Sequence, residues 1–147
     1  IGYTTFKNCS SLTSVTLSDN ITRIGDEAFS GCVGLTSITI PAKVEEIGKR
    51  AFYGCGLTSI TIPESVTSIG DESFNSCSGL TDITIEQEWT LSLGMRVFGN
   101  CPRIENVVFA GMKNKCELIF SGQGKASDDG NVTMKCADGE FKFKFNE

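Results

Sequence analysis

One recurrence constrains this chain more than any average property does: Phe6, Phe29, Phe52, Phe74 and Phe98 follow one another at steps of 23, 23, 22 and 24 residues. Cys9, Cys32, Cys55, Cys77 and Cys101 keep the same steps. A unit this short cannot bury its own apolar side chains. Repeats of this length therefore gain a core only by stacking, with equivalent residues in columns through the interior.

Usually three residues after each Cys comes an L-T-S-I-T-I type segment: Leu12 to Leu17, Leu35 to Ile40, Leu57 to Ile62, Leu80 to Ile85, and Ile104 to Phe109. Its alternation predicts one strand per unit, with the aliphatics inward. A second apolar pair with a glycine follows in the first three units: Ile21, Ile24 and Gly25; Val44, Ile47 and Gly48; Val66, Ile69 and Gly70. The fourth unit keeps Leu93 and Gly94. Counting back 23 residues from Ile24-Gly25 reaches Ile1-Gly2, so the first residue falls in mid-repeat.

A period of roughly 20–29 residues with L-x-x-I-x-I at its heart is the leucine-rich-repeat signature. The fold expected is an α/β-class leucine-rich-repeat solenoid. Its sheet is mostly parallel, its convex side carries irregular or 3-10 turns, and its expected parts are residues 1–110 (about 4.5 repeats of 22–24 residues) and a β-rich C-terminal cap over 111–147. Phe and Cys form the structural ladder. The thiols are expected to be buried, packing as small apolar groups, because side chains stacked in register suit neither a disulfide nor a tetrahedral metal site.

The unit Ile47 to Pro63, I-G-K-R-A-F-Y-G-C-G-L-T-S-I-T-I-P, closely resembles the BspA-like leucine-rich-repeat family, and the likeness extends over about residues 1–110. The resemblance implies a bacterial surface or secreted protein whose tandem repeats adhere to a host or matrix protein. Its expected location is extracellular or at the cell surface. Departures from the common leucine-rich pattern are specific. The place of its usual Asn or Cys after the strand holds Asn20, Lys43, Ser65 and Glu88, so no asparagine ladder runs there. The fourth unit has one extra residue within Glu86 to Trp89, which predicts a local bulge with Trp89 partly covering the core.

From about Gly111 the period stops. Cys116 to Phe120, Val132 to Cys136 and Phe141 to Phe145 read as strands, with Asp138-Gly139 as a hairpin turn. A solenoid end exposes its apolar cross-section, so a terminal cover is expected here; a separate domain beginning at this point is the other reading. Cys116 and Cys136 could pair if their strands are neighbours in an oxidising compartment.

Composition removes several chemistries. The chain has no His, which eliminates the usual general base and the Ser-His and Cys-His nucleophile pairs; neither metal nor cofactor is expected. Asp26-Glu27, Glu45-Glu46 and Asp71-Glu72 recur with the repeat beside turns, and read as a solvated wall rather than a glycosidase acid pair. Gly122, Gly124 and Lys125 lack the strand-to-helix context of a phosphate loop. The net charge is −5, with 7 Lys+Arg against 12 Asp+Glu in residues 1–110 and 6 against 6 beyond, a field that repels nucleic acid. No apolar stretch approaches the roughly 18 residues of a membrane span. The sequons at Asn8, Asn20 and Asn131 need no explanation beyond chance in a Ser/Thr-rich chain.

What remains is a binding surface. Alternation assigns to the outward, concave face Ser14 and Thr16, Ser37 and Thr39, Ser59 and Thr61, Asp82 and Thr84, and Asn106 and Val108. These are the ligand-binding candidates, for a protein or glycan partner. β-propensity alone would also favour Thr on a half-exposed pleat, and repeats serving only as a spacer or stalk are the alternative.

Overall fold

The alternating L-x-x-I-x-I segments and the I-G pairs predict two walls per coil. The structure, a computed structural model describing residues 1–88, 90–113 and 131–144 (side chains of 131, 143 and 144 excepted), has both. On one wall β1 (Arg23–Ile24), β2 (Glu46–Ile47), β4 (Ser68–Ile69) and β6 (Ser92–Leu93) form a parallel sheet in the order β1-β2-β4-β6. On the other, β3 (Ser59–Ile62), β5 (Asp82–Ile85) and β7 (Asn106–Phe109) are parallel, and β8 (Asn131–Cys136) and β9 (Gly139–Lys144) follow in the same sheet. In register, Ile60 lies beside Ile83 and Val107, and Ile62 beside Ile85 and Phe109. These inward residues are all buried.

Between the walls, Phe6, Phe29, Phe52, Phe74 and Phe98 stack with ring centroids 5.1–5.5 Å apart and planes within 13°. The glycine of each I-G pair makes this spacing attainable. A Cβ on Gly70 would sit 2.6 Å from the Lys49 nitrogen and 2.9 Å from the Gly48 carbonyl carbon, so neighbouring coils approach backbone to backbone there.

Turns, not helices, carry the chain from one wall to the other. Helix is almost absent among the described residues, so neither the helical half of an α/β class nor runs of 3-10 helix are found on this side. The physical reason is an alternation of hydrogen bonds. Glu27, Phe29 and Gly31 donate their N–H groups to the Lys49, Ala51 and Tyr53 carbonyls of the next coil, while Ala28, Ser30 and Cys32 close local turns onto Gly25, Glu27 and Phe29. Every second N–H is thus taken by a neighbouring coil and cannot propagate a helix. Two left-handed positions per coil permit this geometry: Thr4, Glu27, Arg50, Glu72 and Arg96 in one column, and Asn8, Gly31, Gly54, Ser76 and Asn100 in the other.

Three expectations need correction. Residues 12–17 and 35–40 follow the coil path but form no strand pairing with each other or with β3. The hairpin turn is centred on Ala137 and Asp138, one residue earlier than expected, because Cys136 pairs with Gly139. Cys9 is exposed in this structure, unlike the other four ladder thiols. The extra residue of the fourth unit is absorbed between β5 and β6, where Gln87 bonds across to Glu64 and Thr90. Trp89, Cys116 and the expected strand at 116–120 lie outside the described residues.

β8 continues the parallel sheet, with Val107 beside Met134, and β9 then returns antiparallel. Val132 and Met134 are fully buried.

Candidate binding groove on the sheet wall

Wherever the outward sheet is fully paired, the residue after each strand donates its N–H to the last strand residue of the coil before: Glu86 to Ile62, and Ala110 to Ile85. In the second and third coils that residue is Pro41 or Pro63, which has no N–H to give. The ladder accordingly fails between the first three coils. Thr58 still bonds the Thr36 carbonyl, and Ser65 and Thr67 bond those of Val44 and Glu45. Between those anchors no hydrogen bond joins residues 37–40 to 59–62.

The result is a groove of about 670 Å³ on the sheet wall, reaching from Ser14 to Glu86. Val15, Ile38, Ile40 and Ile60 contribute its apolar lining, and Ser14, Ser37, Thr39, Ser59 and Thr61 its hydroxyls. Five of the ten face candidates therefore converge on one cavity. Thr16 is exposed but lies outside it.

The other four stand on the paired sheet, with Asp82 beside Asn106 and Thr84 beside Val108. Asp82 accepts hydrogen bonds from the Thr81 hydroxyl at 2.5 Å and the Asn106 amide at 2.9 Å, and Val108 is 42% exposed. Residue-type reasoning missed Asp19, Pro41, Ala42, Pro63 and Glu86 among the lining groups. The two prolines after strand segments were the available signal.

A second depression shares Ala42, Pro63 and Glu86 with the groove and adds Glu64 and Glu88. Carboxylates at Asp19, Glu64, Glu86 and Glu88 thus border the combined surface, and among the described residues no Lys or Arg lines it. The nearest basic neighbour in sequence, Lys43, donates to the Asn20 amide oxygen at 3.0 Å.

Five of the six carboxylates in the periodic acidic pairs are engaged elsewhere. Asp26 and Asp71 accept the backbone N–H groups of Lys49 and Met95, Glu27 pairs with Lys7, Glu46 with Arg23, and Glu72 with Arg50. Their recurrence reflects contact from coil to coil.

The thiols have a similar explanation. Cys32, Cys55, Cys77 and Cys101 donate Sγ–H to the carbonyls of Phe6, Phe29, Phe52 and Phe74 at 3.0–3.2 Å. Cysteine fits because it fills a small apolar space and still offers a weak donor. Burial pushes the Cys55 and Cys101 thiols up to about 12 and Cys77 well above its ordinary value, so these groups remain protonated. Among the described residues no cluster of His, Cys, Asp or Glu is arranged to hold a metal ion, and no helix is long and apolar enough to cross a membrane.

A stack of short coils with two parallel walls and an internal aromatic column defines a leucine-rich-repeat solenoid. Six copies of the BspA type leucine rich repeat region match residues 1–125, and the chain belongs to that family. Among solved structures it is similar to the T. pallidum leucine-rich-repeat protein, at 32% identity and a TM-score of 0.70, over 74% of this chain and 50% of that one. A leucine-rich cell surface protein from Faecalibacterium prausnitzii shares the fold at 24% identity and a TM-score of 0.62, over 77% and 41% of the two chains. A Bacteroides ovatus leucine-rich-repeat protein does so at 24% identity and 0.51, over 74% and 48%. The chain spans about half the length of these relatives or less. No curated protein matches.

Proposed function

We propose that this chain is a non-catalytic binding module of a cell-surface or secreted protein, and that it engages a protein partner through the sheet wall. The observation that carries the reading is the groove, where outward hydroxyls from three coils meet over an apolar floor beside backbone left unpaired by Pro41 and Pro63. Family membership supports it, because leucine-rich repeats generally serve as interaction surfaces. A surface or extracellular location is part of the same proposal and draws on the F. prausnitzii relative, itself described as a cell surface protein. We assign residues 1–110 to the binding solenoid and 111–147 to a C-terminal cover.

The test replaces Thr39, Thr61 and Thr84 together by Lys and measures binding to immobilised host matrix proteins. All three side chains point outward, so the variant should fold with an unchanged circular dichroism spectrum and lose binding. Unchanged binding by the folded variant would reject the sheet wall as the contact surface. Absence of binding by the unaltered chain to any such protein would leave the repeats as a spacer.

A further inference from the structure

We infer that a second copy of this chain docks on the turn edge of the stack, running antiparallel to the first, across a two-fold axis between the coil of Lys49 and Arg50 and the coil of Asp71 and Glu72.

The turn edge repeats in shape at every coil but in charge at every second one. Side by side on it run two columns, Asp26, Lys49, Asp71, Met95 and Glu27, Arg50, Glu72, Arg96, acidic and basic in alternate coils except at Met95. Bonds from coil to coil fix their alignment: Asp26 accepts the Lys49 N–H, Asp71 accepts the Met95 N–H, and the second column holds left-handed positions. All eight residues are exposed or half-buried. An alternating row of four laid on itself in the same direction sets like charge on like. Reversed, it sets every acid opposite a base. Both copies share one coil spacing, 5.1–5.5 Å along the phenylalanine stack, so the match holds along the whole row. A two-fold axis is the operation that reverses the stack while presenting the same patch on both copies. It places Lys49 opposite the partner's Asp71, Arg50 opposite the partner's Glu72, and Glu27 opposite the partner's Arg96, each twice.

Two further observations favour this occupant. Within the chain Arg50 pairs with Glu72 and Glu27 with Lys7, but Lys49, Asp71 and Arg96 have no ion pair among the described residues. These three line a depression of about 340 Å³ with Arg50, Glu72 and Met95, and the axis supplies each of them with a counter-charge. The most exposed large apolar side chains among the described residues, Met95 at 72% and Tyr3 at 67%, also belong to the first column. Reversal brings each Met95 within one coil of the partner's Tyr3, a thioether against a ring. The patch is small and its charges stay hydrated, so the association is weak and sensitive to salt. Both sheet walls remain uncovered, and the pair offers two of them to a partner.

Charge reversal tests this arrangement in a way that a role within one chain would not answer. Lys49→Asp sets Asp against Asp at both copies of that contact, and Asp71→Lys sets Lys against Lys. Mixed, the two variants again place a base opposite an acid on both sides of the axis. Sedimentation velocity on whole chains, carried to millimolar concentration at low salt, should show the unaltered chain approaching a dimer and losing it at high salt. Each single variant, folded by circular dichroism, should associate at least about tenfold more weakly, and the equimolar mixture should recover the association of the unaltered chain. Arg96→Glu mixed with Glu27→Arg repeats the test in the other column, and stands in where removing Asp71 from the Met95 N–H unfolds the chain. An unaltered chain that stays monomeric throughout this range would overturn the inference. So would single variants that associate undiminished, or folded variants that remain apart when mixed.

Discussion

The ladder thiols show how a single residue type meets two demands at one position. The interior slot beside each phenylalanine is small and apolar, yet it faces a carbonyl of the previous coil that accepts Sγ–H at 3.0–3.2 Å. The consequence appears at alkaline pH. Burial raises Cys55 and Cys101 from an ordinary value of 9.0 to about 12, so the native state holds these protons more tightly than the unfolded chain does. Their contribution to stability is fully present below pH 9 and is lost as pH rises from 9 toward 12, at about 1.4 kcal/mol per pH unit for each thiol. Urea midpoints measured under reducing conditions should be level near neutrality and fall steeply above pH 9. A Cys55→Ser, Cys101→Ser variant should start lower, by about 1–2 kcal/mol per site, and fall less steeply. Equal slopes would remove the thiols as the cause. Native-state labelling should reach exposed Cys9 long before Cys55, Cys77 or Cys101.

At the level of the coil, spacing and backbone conformation impose separate constraints, and two glycines separate them. Gly70 has no room for a Cβ against the backbone of Lys49 and Gly48, whereas Gly54 has open space around it but a φ of +64°. Gly70→Ala should therefore force adjacent coils apart and cost about 2–3 kcal/mol, an overpacking effect. Gly54→Ala should cost about 1 kcal/mol, the strain of a left-handed alanine. Chemical denaturation of both variants checks the order, and a larger loss at Gly54 would show that conformation outweighs spacing.

The same distinction explains what the sequence could reveal. Side-chain columns were legible because Phe, Cys, Ile and Gly recur in the letters themselves. The left-handed column of Thr4, Glu27, Arg50, Glu72 and Arg96 was not, since none of these types favours that conformation and hydrogen bonds to the neighbouring coil impose it. For the groove, outward hydroxyls could be assigned by alternation, but their convergence depends on strands that fail to pair. Pro41 and Pro63 carried that information through a missing N–H, which matters only once the coils are stacked.

Over the whole molecule, each coil contacts only its neighbours, so stability accumulates along the stack and the last strand edge must be protected. β7 would otherwise end the parallel sheet with a free row of backbone groups above the buried Val107 and Phe109. β8 occupies that edge and brings Val132 and Met134 into the core, and β9, the outermost of the described strands, pairs with it antiparallel, with exposed Lys142 and Glu140 along it. Charged residues on a terminal strand oppose pairing with a second chain. Ending the chain after Gly111 should remove the burial of two aliphatic side chains, about 3–6 kcal/mol, and uncover the β7 edge at the same time. The shortened protein should melt earlier and scatter more light than the full chain at equal concentration. Adding Lys at position 108 of the shortened chain, in place of the outward Val108, should reduce the scattering without restoring the melting temperature, because edge charge opposes association while the lost core contacts stay lost. A shortened chain that melts and scatters like the full one would show that the hairpin is an appendage and that the stack is complete at β7.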